Sequence, residues 1–221
     1  MKKVLHFITA FVLFASQVQA QKVLIDKISL PATGREFGIY IDINVSEGAK
    51  VFYDLQTADP QQQAQAELSS TQLGMFIPAL QKARDVFVKW SNISREKGIR
   101  QLVKPLSTIF ADQTIYFTKD NKWNHENGVD MKALFYVDAD GGCQLIFQSD
   151  YMTSEEVIGE SSGYIGGFLG MSTNSKYSIS HFCGGSSLSF TSKEEIDEFI
   201  DKLNAALKKK INIISDGKLL K

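Results

Sequence analysis

Ala133-Leu134-Phe135-Tyr136-Val137-Asp138-Ala139-Asp140-Gly141-Gly142-Cys143-Gln144-Leu145-Ile146-Phe147 is the stretch from which the rest of the chain is read. Two apolar runs rich in aromatic and branched side chains flank an Asp/Gly connector, the composition of a β-hairpin. Downstream, Tyr177-Ser178-Ile179-Ser180-His181-Phe182-Cys183 alternates strictly, and Gly184-Gly185 turns it toward Ser187-Leu188-Ser189-Phe190. These four strands read as one antiparallel sheet. With Cys143 opposite Cys183, side-chain alternation puts both sulfurs on one face and predicts a disulfide. Closing a loop of about 40 residues would stabilise the fold by roughly 3 to 4 kcal/mol.

Upstream of this region the pattern predicts strands at 23–30, 37–45 and 49–55, then a polar loop or weak helix at 60–66. Phe76, Leu80, Ala83, Phe87 and Trp90 recur at helical spacing, so the best helix is placed at 77–97, with Pro78 in its first turn and Gly98 as its left-handed stop. A strand at 114–118 and a polar loop at 119–130 follow. Ser192 and Glu195 form a capping box ahead of a second helix at 193–209, and 211–214 is expected to pair with a sheet edge. The fold class expected is α+β: a mainly antiparallel β-sheet packed against one long central helix and one C-terminal helix.

Residues 1–20 have the make-up of a signal peptide. Lys2 and Lys3 precede an apolar run from Val4 to Ala15, and Val18-Gln19-Ala20 supplies small residues at the cleavage point. One domain at 21–221 is expected, soluble and periplasmic or secreted, with no later run near the roughly 18 apolar residues of a spanning helix. Without Lys2 and Lys3 the 24 Lys+Arg become 22 against 25 Asp+Glu, a net charge of −3, and no dense basic cluster remains. Nucleic acid is therefore not an expected partner.

Several constellations suggest chemistry and are weighed against plainer readings. Gly159-Glu160-Ser161-Ser162-Gly163 matches a nucleophile elbow, yet that motif needs a preceding strand and a following helix, and glycines follow here. Cys143, His181 and Cys183, with His125, could hold zinc or supply a thiolate nucleophile, but their separations are not a compact ligand spacing and export favours oxidation. Asp138-x-Asp140-Gly141 resembles the start of a calcium loop, with Ser149 where the bidentate glutamate belongs. No catalytic residue, metal or cofactor is expected.

The insertion at 153–175 is the most unusual segment, because Tyr164, Ile165, Phe168 and Leu169 stand among five glycines. Thr153 and Glu156 could cap a short helix there, although glycines weigh against one. Apolar side chains on a glycine-rich segment suggest either a loop whose aromatics dock on the sheet or a mobile flap over a ligand or partner site. The function expected is thus a noncatalytic binding or interaction role, through Tyr164, Ile165, Phe168 and Leu169, toward a protein or an apolar ligand. The alternatives are a small exported hydrolase using Ser161 or an unpaired Cys, and a structural envelope component.

Overall fold

In the computed structural model, residues 22–31, 33–42, 50–150, 152–165 and 171–219 are described, with the backbone alone for 107–111, 153–165, 171–182 and 210–219. The chain runs β1 (Lys22–Leu30), β2 (Arg35–Asp42), β3 (Val51–Thr57), β4 (Ala64–Leu68), α1 (Ser70–Lys97), β5 (Leu102–Lys119), β6 (Lys122–Val137), β7 (Cys143–Ser149), β8 (Met152–Ile165), β9 (Met171–Cys183), β10 (Ser186–Phe190) and α2 (Lys193–Leu219). Residues 1–20, where the sequence predicts a signal peptide, lie outside the described residues.

The hairpin at 133–147 forms as its composition predicts, with Val137 opposite Cys143 and Leu134 opposite Ile146. Its turn explains the Asp/Gly content. The Asp138 carboxylate accepts from the backbone N–H groups of Asp140 at 2.9 Å and Gly142 at 2.7 Å, and Gly141 takes φ +93°. Asp138 is thus occupied in holding the turn.

The sheet does not lie open against a central helix; it closes into a barrel, and the expected fold class is corrected accordingly. The ring runs β3-β10-β7-β6-β5-β4 and back to β3, antiparallel at each of its seams, while β2 and then β1 extend from β3 outside it. Closure depends on β4, the segment expected to be loop or weak helix. Ala64 to Leu68 pairs with Leu55 to Val51 on one side, and Ala64 to Glu67 pairs with Phe117 to Thr114 on the other. Full closure leaves the ring strands without an open sheet edge.

Alternate side chains of the ring strands are buried where the strands face the core, in β5 at Gln113, Ile115 and Phe117 and in β6 from Val129 to Val137, and both helices share that core. Cys143, Leu145, Phe147 and Ser149 alternate with half-buried neighbours in β7, as do Ser186, Leu188 and Phe190 in β10. Tyr53 stacks on Phe76 of α1 at 5.7 Å and meets Phe199 of α2 edge-on at 5.5 Å. Phe135 of β6 receives Trp90 edge-on at 5.5 Å.

Both helices are longer than their periodicity suggests. α1 starts at Ser70, because Ser69 and Gln72 form a complete capping box, the Ser69 side chain accepting from the Gln72 N–H and the Gln72 side chain from the Ser69 N–H. Pro78 consequently sits inside the helix, where it cannot donate to the Gly74 carbonyl and costs about 3 kcal/mol. The buried face of Leu73, Phe76, Ile77, Leu80, Ala83 and Phe87 offsets that cost. Gly98 ends the helix at φ +62°, as expected. α2 continues to Leu219, so 211–214 is helical and not an edge strand, and Lys208 to Lys210 lie within the helix.

The polar stretch at 119–130 is also strand. Asp120 and Asn121 take φ +51° and +60° between Lys119 and its partner Lys122, a two-residue turn of the I′ type that launches β6. Over its described residues the insertion after β7 is strand, and the short helix that Thr153 and Glu156 could cap is not among them. β8 and β9 pair with each other from Met152↔Cys183 to Ile165↔Met171 as a separate two-stranded ribbon that runs against β5 and β6.

Candidate functional site

The ribbon leaves the barrel where β7 ends and re-enters where β10 begins, and a cavity of about 380 Å³ opens at that place. Its walls are the end of β3 (Gln56, Thr57), the end of β7 (Gln148, Ser149) and the start of β10 (Ser186, Ser187). This is also the narrowest seam of the ring, since β10 and β3 share only the pairs Ser186↔Thr57 and Ser187↔Gln56.

Alternation determines which groups face the core here. Thr57, Ser149 and Ser186 occupy the buried phase of their strands, where hydroxyls replace the apolar side chains found further along. Each of them has hydrogen-bonding partners. The Ser186 N–H donates to Ser149 Oγ at 2.9 Å, the two Ser Oγ atoms are 3.1 Å apart, and Ser149 Oγ donates to the Asp150 carbonyl at 2.9 Å. Thr57 Oγ1 lies 2.8 Å from the Asp59 carbonyl and 2.9 Å from that of Gln62. Gln56, Gln148 and Ser187 sit on the opposite phase, half-buried, and offer neutral donors and acceptors. Asp150, the charged member of the lining, pairs with Lys132 at 2.6 Å on an exposed face.

Gly184 and Gly185 carry the chain from the ribbon into the barrel. Gly185 has φ +83°, and a Cβ there would come within 3.3 Å of the Ser149 carbonyl, so this re-entry point admits glycine and little else. The glycine pair therefore does not make a hairpin between β9 and β10. It switches the chain from one sheet to the other.

That switch also removes the expected disulfide. Cys183 pairs with Met152 beside the far end of β7, whereas Cys143 starts β7 next to Val137. The seven residues of β7 extend about 20 Å between those ends, far beyond the roughly 7 Å Cα separation a disulfide tolerates. Both cysteines are free and buried, each with its thiol directed to a nearby carbonyl, Cys143 to Gly141 and Cys183 to Gly185. Burial pushes the Cys183 thiol up, and the Asp59 carboxylate adds to the rise. A thiol in this setting is a poor nucleophile at neutral pH. Denatured, unreduced protein is expected to titrate two thiols per chain, and the folded protein to react slowly; a count of none would overturn the separation of the two cysteines.

The remaining sequence-predicted residues fall on the ribbon or apart from it. Ser161 lies mid-strand in β8 opposite Ser175, without the strand-turn-helix geometry of a nucleophile elbow. Tyr164 and Ile165 end β8 opposite Ser172 and Met171, while Phe168 and Leu169 lie outside the described residues. His181 is placed in β9 opposite Ser154, and His125 lies in β6 with its ring 5.5 Å from that of Tyr116. Among the described residues no group of three or more His, Cys, Asp or Glu could hold a metal ion, and no helix is long and apolar enough to cross a membrane.

Sequence reasoning missed Thr57, Ser149 and Ser186. The signal available was a hydroxyl in the buried phase of an otherwise apolar strand, most legible in Cys143-x-Leu145-x-Phe147-x-Ser149. No protein-family model, no curated protein and no solved structure matches this chain.

Proposed function

We propose that this chain is an exported, noncatalytic binding protein that takes a segment of a partner polypeptide at the root of the β8–β9 ribbon. The observation that carries the reading is the coincidence of the cavity, the narrow β3–β10 seam and both ends of the ribbon at one place. Gln56, Gln148 and Ser187 present amide and hydroxyl groups of the kind that satisfy a peptide backbone, and the hydroxyls beneath them are already held in place by the barrel. The ribbon would then act as the flap through its root, next to Met152 and Cys183, while Tyr164 and Ile165 lie about 40 Å further along β8, too far to reach the cavity.

Native mass spectrometry of the protein purified from its own compartment tests this. A co-purifying polypeptide is expected, with a Gln148→Ala/Ser187→Ala double variant retaining at least tenfold less of it. A bare mass from such a preparation would overturn the binding role and favour a structural one.

A further inference from the structure

We propose that the outer wall of the barrel carries a second binding site, a cage for a primary alkylammonium group, in which Lys22 is the resident competitor. The cage shares no residue with the ribbon-root cavity. Phe52 from β3, Tyr116 from β5 and Trp123 from β6 all project outward, and the Lys22 ammonium lies among them at 4.0, 5.0 and 5.4 Å from the three ring centroids. Three aromatic faces around one nitrogen make the arrangement by which proteins recognise alkylated ammonium ligands. The Lys22 ammonium also donates to Gln65 Oε1 at 2.7 Å, and Gln65 is only 9% exposed. Burial lowers the pKa of Lys22, while the carboxylates of Glu67, Asp42 and Asp54 act to keep it charged.

The walls are held by bonds that do not involve Lys22. Gln65 Nε2 donates to Asp54 Oδ1 at 2.9 Å, and Asp54 Oδ2 accepts from the Gly38 N–H at 2.7 Å and from Tyr40 Oη at 3.1 Å. Tyr116 Oη donates to Glu67 Oε2 at 2.9 Å, and Lys50 pairs with Glu67 Oε1 at 2.9 Å. A cage organised in this way keeps its shape when its occupant leaves. The occupant is well placed to leave. Lys22 lies in β1, the outermost strand of the sheet, and an edge strand opens more readily than the central ones. Phe52 forms a buried floor at 2% exposure, whereas Trp123 is 47% exposed and leaves one side open to solvent.

The ligand chemistry is an ammonium on a straight alkyl stem, from a free diamine or from a lysine side chain of a peptide. Calorimetric titration of the Lys22→Ala protein with cadaverine and with Nα-acetyl-lysine methylamide distinguishes the two sources. Saturable binding of one or both is expected, at least tenfold tighter than to the unaltered chain, with no binding of neutral pentanol. Adding Trp123→Ala, a change at an exposed position, should weaken that binding at least tenfold while the melting temperature of the double variant stays with that of Lys22→Ala. Absence of saturable binding, equal binding of pentanol, or indifference to Trp123→Ala would overturn the proposal. If Lys22→Ala does not fold, Lys22→Met keeps the alkyl stem and replaces it; failure of both to fold would make Lys22 a structural strut and equally overturn the proposal.

Discussion

Phe199→Ala is expected to lower the free energy of unfolding by about 3 to 5 kcal/mol, the range for deleting a large, fully buried aromatic side chain. Phe199 is 1% exposed and is one of the α2 side chains, with Ile196 and Leu203, that enter the barrel core. Its ring lies 5.5 Å from Tyr53 of β3 and 5.5 Å from Phe190 of β10, the two strands of the narrow seam. Removing it takes packing from both sides of the seam at once, and Tyr53, whose hydroxyl donates to Gln113 at 3.1 Å in a buried setting, loses one of the surfaces that hold it. Trp90→Ala should cost less, because Trp90 is only partly buried and its ring is covered by the Lys104 ammonium at 4.2 Å. Chemical denaturation of the two variants checks both statements. An unchanged midpoint for Phe199→Ala would mean that α2 does not share the barrel core.

Local signals in the sequence were sufficient for much of this core. The alternation in 143–147 and the helical stripe through Phe76, Leu80 and Phe87 correspond to observed elements, and half of the Ser192/Glu195 box forms, Ser192 Oγ accepting from the Glu195 N–H while the Glu195 carboxylate accepts from Thr191. The barrel was not legible, since closure is a non-local property resting on a five-residue strand, Ala-Gln-Ala-Glu-Leu, whose residue types are poor strand formers in isolation. Those alanines are wanted for their size where β4 passes over the core, and the outward Gln65 and Glu67 are buried by the cage around Lys22. The disulfide expectation failed for a related reason. Gly184-Gly185 has the composition of a hairpin turn, and only the pairing of β10 with β7, Leu188 opposite Phe147, makes it a crossing between sheets. At the candidate site, the ribbon's aromatic and glycine content stood out in the sequence, but the cavity at its root is built from serine, threonine and glutamine side chains that look ordinary until three strand ends bring them together.

The ribbon should be separable from the barrel in stability but not in binding. Excising residues 154–181 and joining Thr153 to Phe182 through Asn-Gly keeps the Met152↔Cys183 and Thr153↔Phe182 pairs and replaces the rest with a two-residue turn of the favoured hairpin type. The hydrogen bonds of β8 and β9 run between those two strands and belong to no seam of the ring, so their removal opens no ring pairing. Contacts of the ribbon with β5 and β6 are lost, which destabilises; the shorter connection costs less entropy to close, by about 0.6 kcal/mol for each halving of its length, which stabilises. The two effects oppose each other, and the net change is expected to stay below the cost of Phe199→Ala. Met152 and Cys183, both at 0% exposure, must be retained because they belong to the core and not to the projecting part. The shortened protein should unfold cooperatively, keep slow amide exchange at Leu145 to Phe147, and retain none of the polypeptide expected to co-purify with the full chain. A destabilisation as large as that of Phe199→Ala would make the ribbon a structural wall of the barrel, and undiminished retention of the polypeptide would remove it from the binding site.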